Sequence, residues 1–161
     1  MITSEGFPPM IGLDKPANKA TISTGRRPMG VVSTSVTKRA ADRTRQAGEH
    51  CDYLDRMAAE GVVPRSLAET ARTVWDQVSI VTDYRMPVPA AMAGEGGPIW
   101  YTWDKGEHHL EAEMPDGGPV EWFYQNRKTD EVWAADITVT DTFPPPLCTR
   151  MFRVALTGST N

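Results

Sequence analysis

Between residues 37 and 60, apolar or small side chains recur at alternating steps of four and three: Ala40, Thr44, Ala47, Cys51, Leu54 and Ala58, with Gly61 following. That spacing predicts an amphipathic helix over 37–60, ended by the glycine. Lys38, Arg39, Asp42, Arg43, Arg45, Glu49 and Asp52 occupy its other faces, so the apolar stripe is narrow and alanine-rich. Such a stripe permits close approach to a second helix. Pro64 and Ser66 open that second helix, predicted over 66–86, with Glu69 three residues after Ser66 as a capping box. Leu67, Ala71, Val74, Trp75, Val78 and Val81 line its apolar face, and Pro87 and Pro89 disfavour helical geometry before them. The short link between the two helices makes them antiparallel neighbours.

After AAMAGEGG, read as a flexible join, the period changes from 3.6 to 2. Four alternating runs, 99–103, 108–114, 120–125 and 131–139, are separated by DKG, DGG and RKTD, which are turn sequences. The prediction is an antiparallel meander over 98–139. Matching apolar sets across the turns pairs Trp103 with His108, Tyr101 with Leu110 and Ile99 with Ala112. The next hairpins pair Ala112 with Trp122 and Leu110 with Tyr124, then Tyr124 with Trp133, Trp122 with Ala135 and Val120 with Ile137. One face is thereby a continuous aromatic and aliphatic surface, read as the core against the second helix. A base-stacking platform is the competing reading, but the stripe has no interleaved Lys or Arg.

The same register builds the opposite face. Trp100, Glu111, Phe123 and Ala134 form one row, Thr102, His109, Gln125 and Val132 another, and Glu113, Glu121 and Asp136 a third. Like charges directly opposite one another destabilise a strand pair, so the third row calls for an offset. Solvent and salt supply one, a basic side chain such as Arg26, Arg27, Lys38 or Arg39, or one from a partner, supplies another, and a divalent cation on oxygen ligands is a third. The C-terminal segment fits a short helix over 147–156, starting after its three prolines. The fold class expected is α+β: two antiparallel helices packed on a four-stranded antiparallel meander, preceded by an extended arm over 1–36 whose Pro, Gly, Ser and Thr show no period.

Charge changes this picture more than composition does. The 161 residues suffice for a single core, 37–161, and no apolar run approaches the roughly 18 residues that span a bilayer. No secretory leader is expected from MITSEGFPPM, and cytoplasmic residence follows as the default. Net charge is −4, yet residues 1–50 hold eight Lys or Arg against four Asp or Glu, and residues 51–161 hold nine against seventeen. A basic arm of this kind can find an acidic partner: nucleic acid, another protein, or the chain's own acidic half.

Candidate chemistry adds little. Cys51 and Cys148 stand apart without a CxxC or CxxH motif and read as reduced thiols. His108 and His109 are neighbours on a strand, so they point to opposite faces and cannot chelate together; only His109 shares a face with Glu111. His50, next to Glu49, reads as a solvated helix residue. No GxSxG, HExxH or phosphate-cradling glycine loop is present, and neither metal nor cofactor is expected. The run GGPIWYTW, LEAE and GGPVEWFYQNRKTDEVW resembles a meander found in small uncharacterised bacterial proteins, over roughly residues 65–139. Those motifs are strand and turn signals, and the resemblance implies no catalytic residues. Asp130 stands in the RKTD turn where glycine would be easier.

These features lead first to a non-enzymatic interaction or assembly subunit whose basic arm docks on a larger protein or on a second copy. A nucleic-acid accessory factor, with Arg26, Arg27, Lys38, Arg39, Arg43 and Arg45 as phosphate contacts, is the alternative. A metal-dependent enzyme built on Glu113, Glu121 and Asp136 is the third.

Overall fold

The computed structural model of the protein describes residues 32–94, 97–140 and 142–158. Arg26, Arg27 and the expected arm as far as residue 31 lie outside the described residues. The described elements run α1 (Val32–Ala59), α2 (Arg65–Val81), β1 (Ala90–Ala93), β2 (Ile99–Lys105), β3 (His108–Met114), β4 (Val120–Asn126), β5 (Glu131–Ile137) and α3 (Pro145–Leu156). The class is α+β, with the strands in a single antiparallel sheet of order β1-β2-β3-β4-β5. None of the described helices is long and apolar enough to cross a membrane.

The sheet has five strands rather than four, because the join expected at AAMAGEGG contains β1, paired with β2 from Ala90↔Thr102 to Ala93↔Ile99. An edge strand of small residues, half-exposed on alternate positions, needs no apolar alternation to be held, so period 2 could not reveal it. The β3/β4 and β4/β5 registers are those the apolar pattern dictates, including Ala112↔Trp122 and Tyr124↔Trp133. The β2/β3 register differs by two residues: Trp103 faces Leu110, Tyr101 faces Ala112 and Ile99 faces Met114. A slip of two leaves every side chain on its own face, so burial cannot distinguish the alternatives and the turn decides. Lys105 pairs with His108 across Gly106 and Glu107, and Gly106 has φ +58, which glycine adopts without strain. A Cβ on Gly106 would also stand 2.9 Å from the Thr157 methyl, where the end of α3 closes on this turn.

The inner face of the sheet buries Ile99, Tyr101, Trp103, Leu110, Met114, Trp122 and Tyr124. Trp103 and Trp122 stack with ring centroids 6.3 Å apart. Two helices cover this face, but they are α2 and α3 rather than α1 and α2. From α2 come Leu67, Ala71, Val74 and Val78, and from α3 Leu147, Met151 and Val154. Each of the Leu, Val and Met side chains, fully buried, contributes about 1.5–3 kcal/mol. The second helix is shorter than the 66–86 expected. Pro64 is its N-cap, so Ser66 lies inside the first turn and no capping box forms; the Pro64 carbonyl instead accepts from the Leu67 and Ala68 amides. Its C-terminal end is set by Asp83 (φ +52) and Tyr84 (φ +56), not by the prolines beyond. Helix α3 begins at Pro145, before the third proline, because residues at the first helical positions need no amide hydrogen.

Helix α1 starts earlier than expected, at Val32, and most of it stands off the core. Among its described side chains only His50, Leu54 and Met57 are buried; Ala40 and Thr44, expected in the packed stripe, are exposed. His50 is the larger correction: it is 6% exposed, with its ring packed on Trp75 and Tyr101.

Candidate functional site

Because α1 meets α2 only through its C-terminal half, its N-terminal half forms one wall of an open groove of about 930 Å³. Ala40, Thr44, Ala47 and Cys51 line that wall. Trp75, Asp76, Ser79 and Ile80 from the last turns of α2 line the opposite one, and the segment from Tyr84 to Val88 closes the end, with Lys105 and Ala155 beyond. The predicted stripe is therefore a wall of this groove over its first half and a core contact over its second.

Several bonds fix the lip at 82–88. The buried Thr82 hydroxyl donates to the Val78 carbonyl at 2.8 Å and accepts from the Met86 amide at 3.3 Å. The Tyr84 amide donates to the Ser79 carbonyl at 2.7 Å, and Trp103 Nε1 donates to the Pro87 carbonyl at 2.8 Å. Arg43 Nη1 crosses from α1 to donate to the Tyr84 carbonyl at 3.1 Å. The left-handed backbone of Asp83 and Tyr84 costs on the order of 1 kcal/mol per residue, held by these bonds. It turns Tyr84 outward: Tyr84 is 66% and Ile80 65% exposed, two large apolar side chains at the mouth of the groove. On its floor Ser79 is 5% exposed, and its hydroxyl has no hydrogen-bond partner among the described residues. A buried polar group left so is destabilising by about 1–3 kcal/mol.

On the other side of α1 lies a shallower cleft of about 570 Å³, lined by Gln46, Glu49, His50 and Tyr53 against Pro87–Pro89 and Ala91. His50 Nε2 lies 2.8 Å from the Tyr101 hydroxyl, which donates to the Ala71 carbonyl at 3.0 Å. Burial, and secondarily the Arg72 charge, lowers the imidazole pKa to about 4, so the ring is neutral. Burial likewise pushes the Tyr101 hydroxyl far above its ordinary range.

The residues singled out from sequence fall in separate places. Lys38, Arg39, Arg43 and Arg45 all lie on the exposed half of α1. Arg43 is bonded to the lip, and Arg45 pairs with Asp42 at 3.6 Å and Glu49 at 3.0 Å on its own helix. Glu113, Glu121 and Asp136 do form one row on the uncovered face of the sheet, with Trp100 beside Glu113 as a result of the two-residue slip. Among the described residues no basic side chain pairs with the row, and no three His, Cys, Asp or Glu side chains converge to hold a metal ion. His109 is not simply solvated: Nδ1 is 3.0 Å from Asp104 and Nε2 3.3 Å from Glu111. The His109 contact, with Arg127 on the other side, holds the Asp104 carboxyl below the usual range.

A second polar cluster, unforeseen from sequence, sits at the same end of the sheet on its covered face. Arg150 lies over the rings of Tyr124 and Trp133, at 5.3 and 4.8 Å, and pairs with Glu131 at 2.7 Å. Arg153 reaches the other Glu131 oxygen at 2.7 Å, and its bond first, with Arg150 adding to it, holds that carboxyl low. His108 Nδ1 meets the Tyr124 hydroxyl at 2.7 Å. This cluster ties α3 to β4 and β5, although the buried Arg150 Nε has no hydrogen-bond partner among the described residues. No family model matches the chain, and no curated protein or solved structure matches it.

Proposed function

We propose that the chain is a non-enzymatic protein-interaction subunit that engages its partner through the N-terminal half of α1 and the groove that this half walls. The observation that carries this reading is the unpacked state of α1. Residues 37–49 bury no side chain, although the helix continues through them. A helical segment of that length is marginal without tertiary packing, and its small-residue stripe faces an open groove instead of a neighbour. The basic arm would extend the same contact, since it leads directly into α1. Exposed Ile80 and Tyr84 at the mouth give the groove the apolar anchors that interfaces use.

Phosphate binding by the same region has less support. Four basic residues of the 37–49 segment stand beside Asp42 and Glu49, and Arg45 is bound to both. The test is capture of partners from a native extract on the full chain, its Thr44→Trp variant and a Glu121→Gln control. Thr44 is exposed at the groove wall, so tryptophan there fills the groove without entering the core. A stoichiometric protein retained by the wild type and the control but lost by Thr44→Trp is the expected result. Identical sets from all three would reject the reading.

A further inference from the structure

The rim of the groove is net basic. Arg43, Arg85 and Lys105 stand around it against Asp76 alone, in a protein of net charge −4. Among the described residues Arg85 has only the Asp83 carboxylate, 3.6 Å away, as an ion-pair partner, and both groups are largely exposed. Between these cations the walls are apolar or small, from Ala40, Ala47 and Cys51 across to Trp75, Ile80 and Met86. The floor holds the Ser79 hydroxyl, nine-tenths buried and without a partner among the described residues. An occupant that satisfies all three features is apolar on the side that enters, bears a small polar group near its centre, and is acidic along its edges. We propose that the groove takes an amphipathic helix of a protein partner, with acidic residues flanking its apolar face.

This rests on the interaction reading above and adds the chemistry of the partner. A helix is the occupant because α1 and α2 already present two helical walls lined by small and apolar side chains. The space between them, about 930 Å³, admits the side chains of one face of a third helix rather than a whole strand pair. The cations at the rim then meet the acidic flanks, which steers association and fixes orientation more than it deepens affinity. The Ser79 hydroxyl selects one register along the occupant, since only a polar group above it removes the unpaired donor.

The experiment is a phage-displayed library of 16-residue helices with fixed leucines on one face and randomised flanks. It is selected on the full-length chain and counter-selected on the Thr44→Trp variant. Acidic residues enriched about threefold or more at the flanks are expected. A selected peptide should lose about tenfold in affinity on Arg85→Glu/Lys105→Glu, and it should weaken on Ile80→Asp and as salt is raised. Absence of enrichment over the Thr44→Trp background, or enrichment of basic flanks, would overturn the proposal. So would a concentration-dependent dimer of the wild type lost in Thr44→Trp, which would place a second copy in the groove. The two readings fail separately: a native partner lost on Thr44→Trp while the library returns basic or no helices leaves an interaction subunit with a different occupant.

Discussion

His50 donates from Nε2 to the Tyr101 hydroxyl across 2.8 Å, which links α1 to the floor of the sheet. The direction follows from the next bond: the hydroxyl proton is given to the Ala71 carbonyl at 3.0 Å, so the oxygen accepts from the imidazole. One chain of donors thus joins α1, β2 and α2. It is the point at which α1 leaves the core and becomes the wall of the groove.

A pH dependence follows from that burial. The imidazole has an ordinary value of 6.5 in the unfolded chain and about 4 in the folded one. Between these values the unfolded state binds more protons, so the stability from neutral His50 is complete above about pH 6.5. It is lost as the pH falls toward 4, by about 3 kcal/mol in all. Urea midpoints at pH 7.5, 5.5 and 4 measure this. His50→Gln retains a donor for Tyr101 and should show a loss smaller by about that amount, whereas equal slopes would remove His50 as the cause.

Arg150 lies over the rings of Tyr124 and Trp133 with Glu131 at its end. Arg150→Ala should cost about 2 kcal/mol in chemical denaturation, from lost ring contacts and a half-unpaired Glu131. Arg150→Lys keeps the charge but not the planar fork, and should recover less than half of it. Full recovery by lysine would reduce the site to a point charge.

In the RKTD turn Asp130 has φ +56, which confirms that glycine would fit there more easily. A β-branched residue in that region is strained, whereas glycine is not. Asp130→Val should be destabilising by about 1–2 kcal/mol, and Asp130→Gly should stay within about 0.5 kcal/mol of the wild type. Thermal midpoints compared at fixed pH decide between them.

What the sequence made legible was whatever burial enforces. Two of the three meander registers and the carboxylate row follow from Leu110, Trp122, Tyr124 and Trp133 having to share one face. The β2/β3 slip escaped because a two-residue shift costs no burial, and β1 escaped because Ala90–Ala93 packs too little to show a period. The groove was illegible for a further reason. It depends on where α2 stops, and the stop lies in two left-handed residues, Asp83 and Tyr84, that carry no glycine signal. Once α2 ends at Val81, Ile80 and Tyr84 become the mouth of a groove instead of the last turn of a helix. His50 was misread because it adjoins Glu49 on a polar stretch, while its partner, Tyr101, is 51 residues away.

The carboxylate row is a destabilising feature that a single neutralisation should relieve. Glu121 lies between Glu113 and Asp136 on the uncovered face. Glu121→Gln should raise stability by about 0.2–1 kcal/mol at low salt, and the gain should shrink toward zero near 0.5 M salt as screening replaces it. A gain that persists unchanged at high salt would point to side-chain packing instead of charge.

The last prediction concerns α1 itself, where stability and function are coupled. From His50 onward the helix is anchored by Leu54, Met57 and the Tyr101 bond, and Arg72 adds a bond to the Cys51 carbonyl at 3.2 Å. Before His50, Arg43 reaches across to the Tyr84 carbonyl, while Thr44 and Arg45 bond within their own helix. Local opening free energies should therefore differ within one continuous helix, by on the order of 1–2 kcal/mol or more. Amide hydrogen exchange should run at least about tenfold faster over 38–47 than over 52–58. Arg43→Ala should accelerate the first segment further without touching the second. An occupant of the groove, contacting Ala40, Thr44 and Ala47, should slow the first segment toward the rate of the second. Uniform protection along α1 in the free protein would mean that its N-terminal half is already packed, and the groove would lose its claim to be the binding surface.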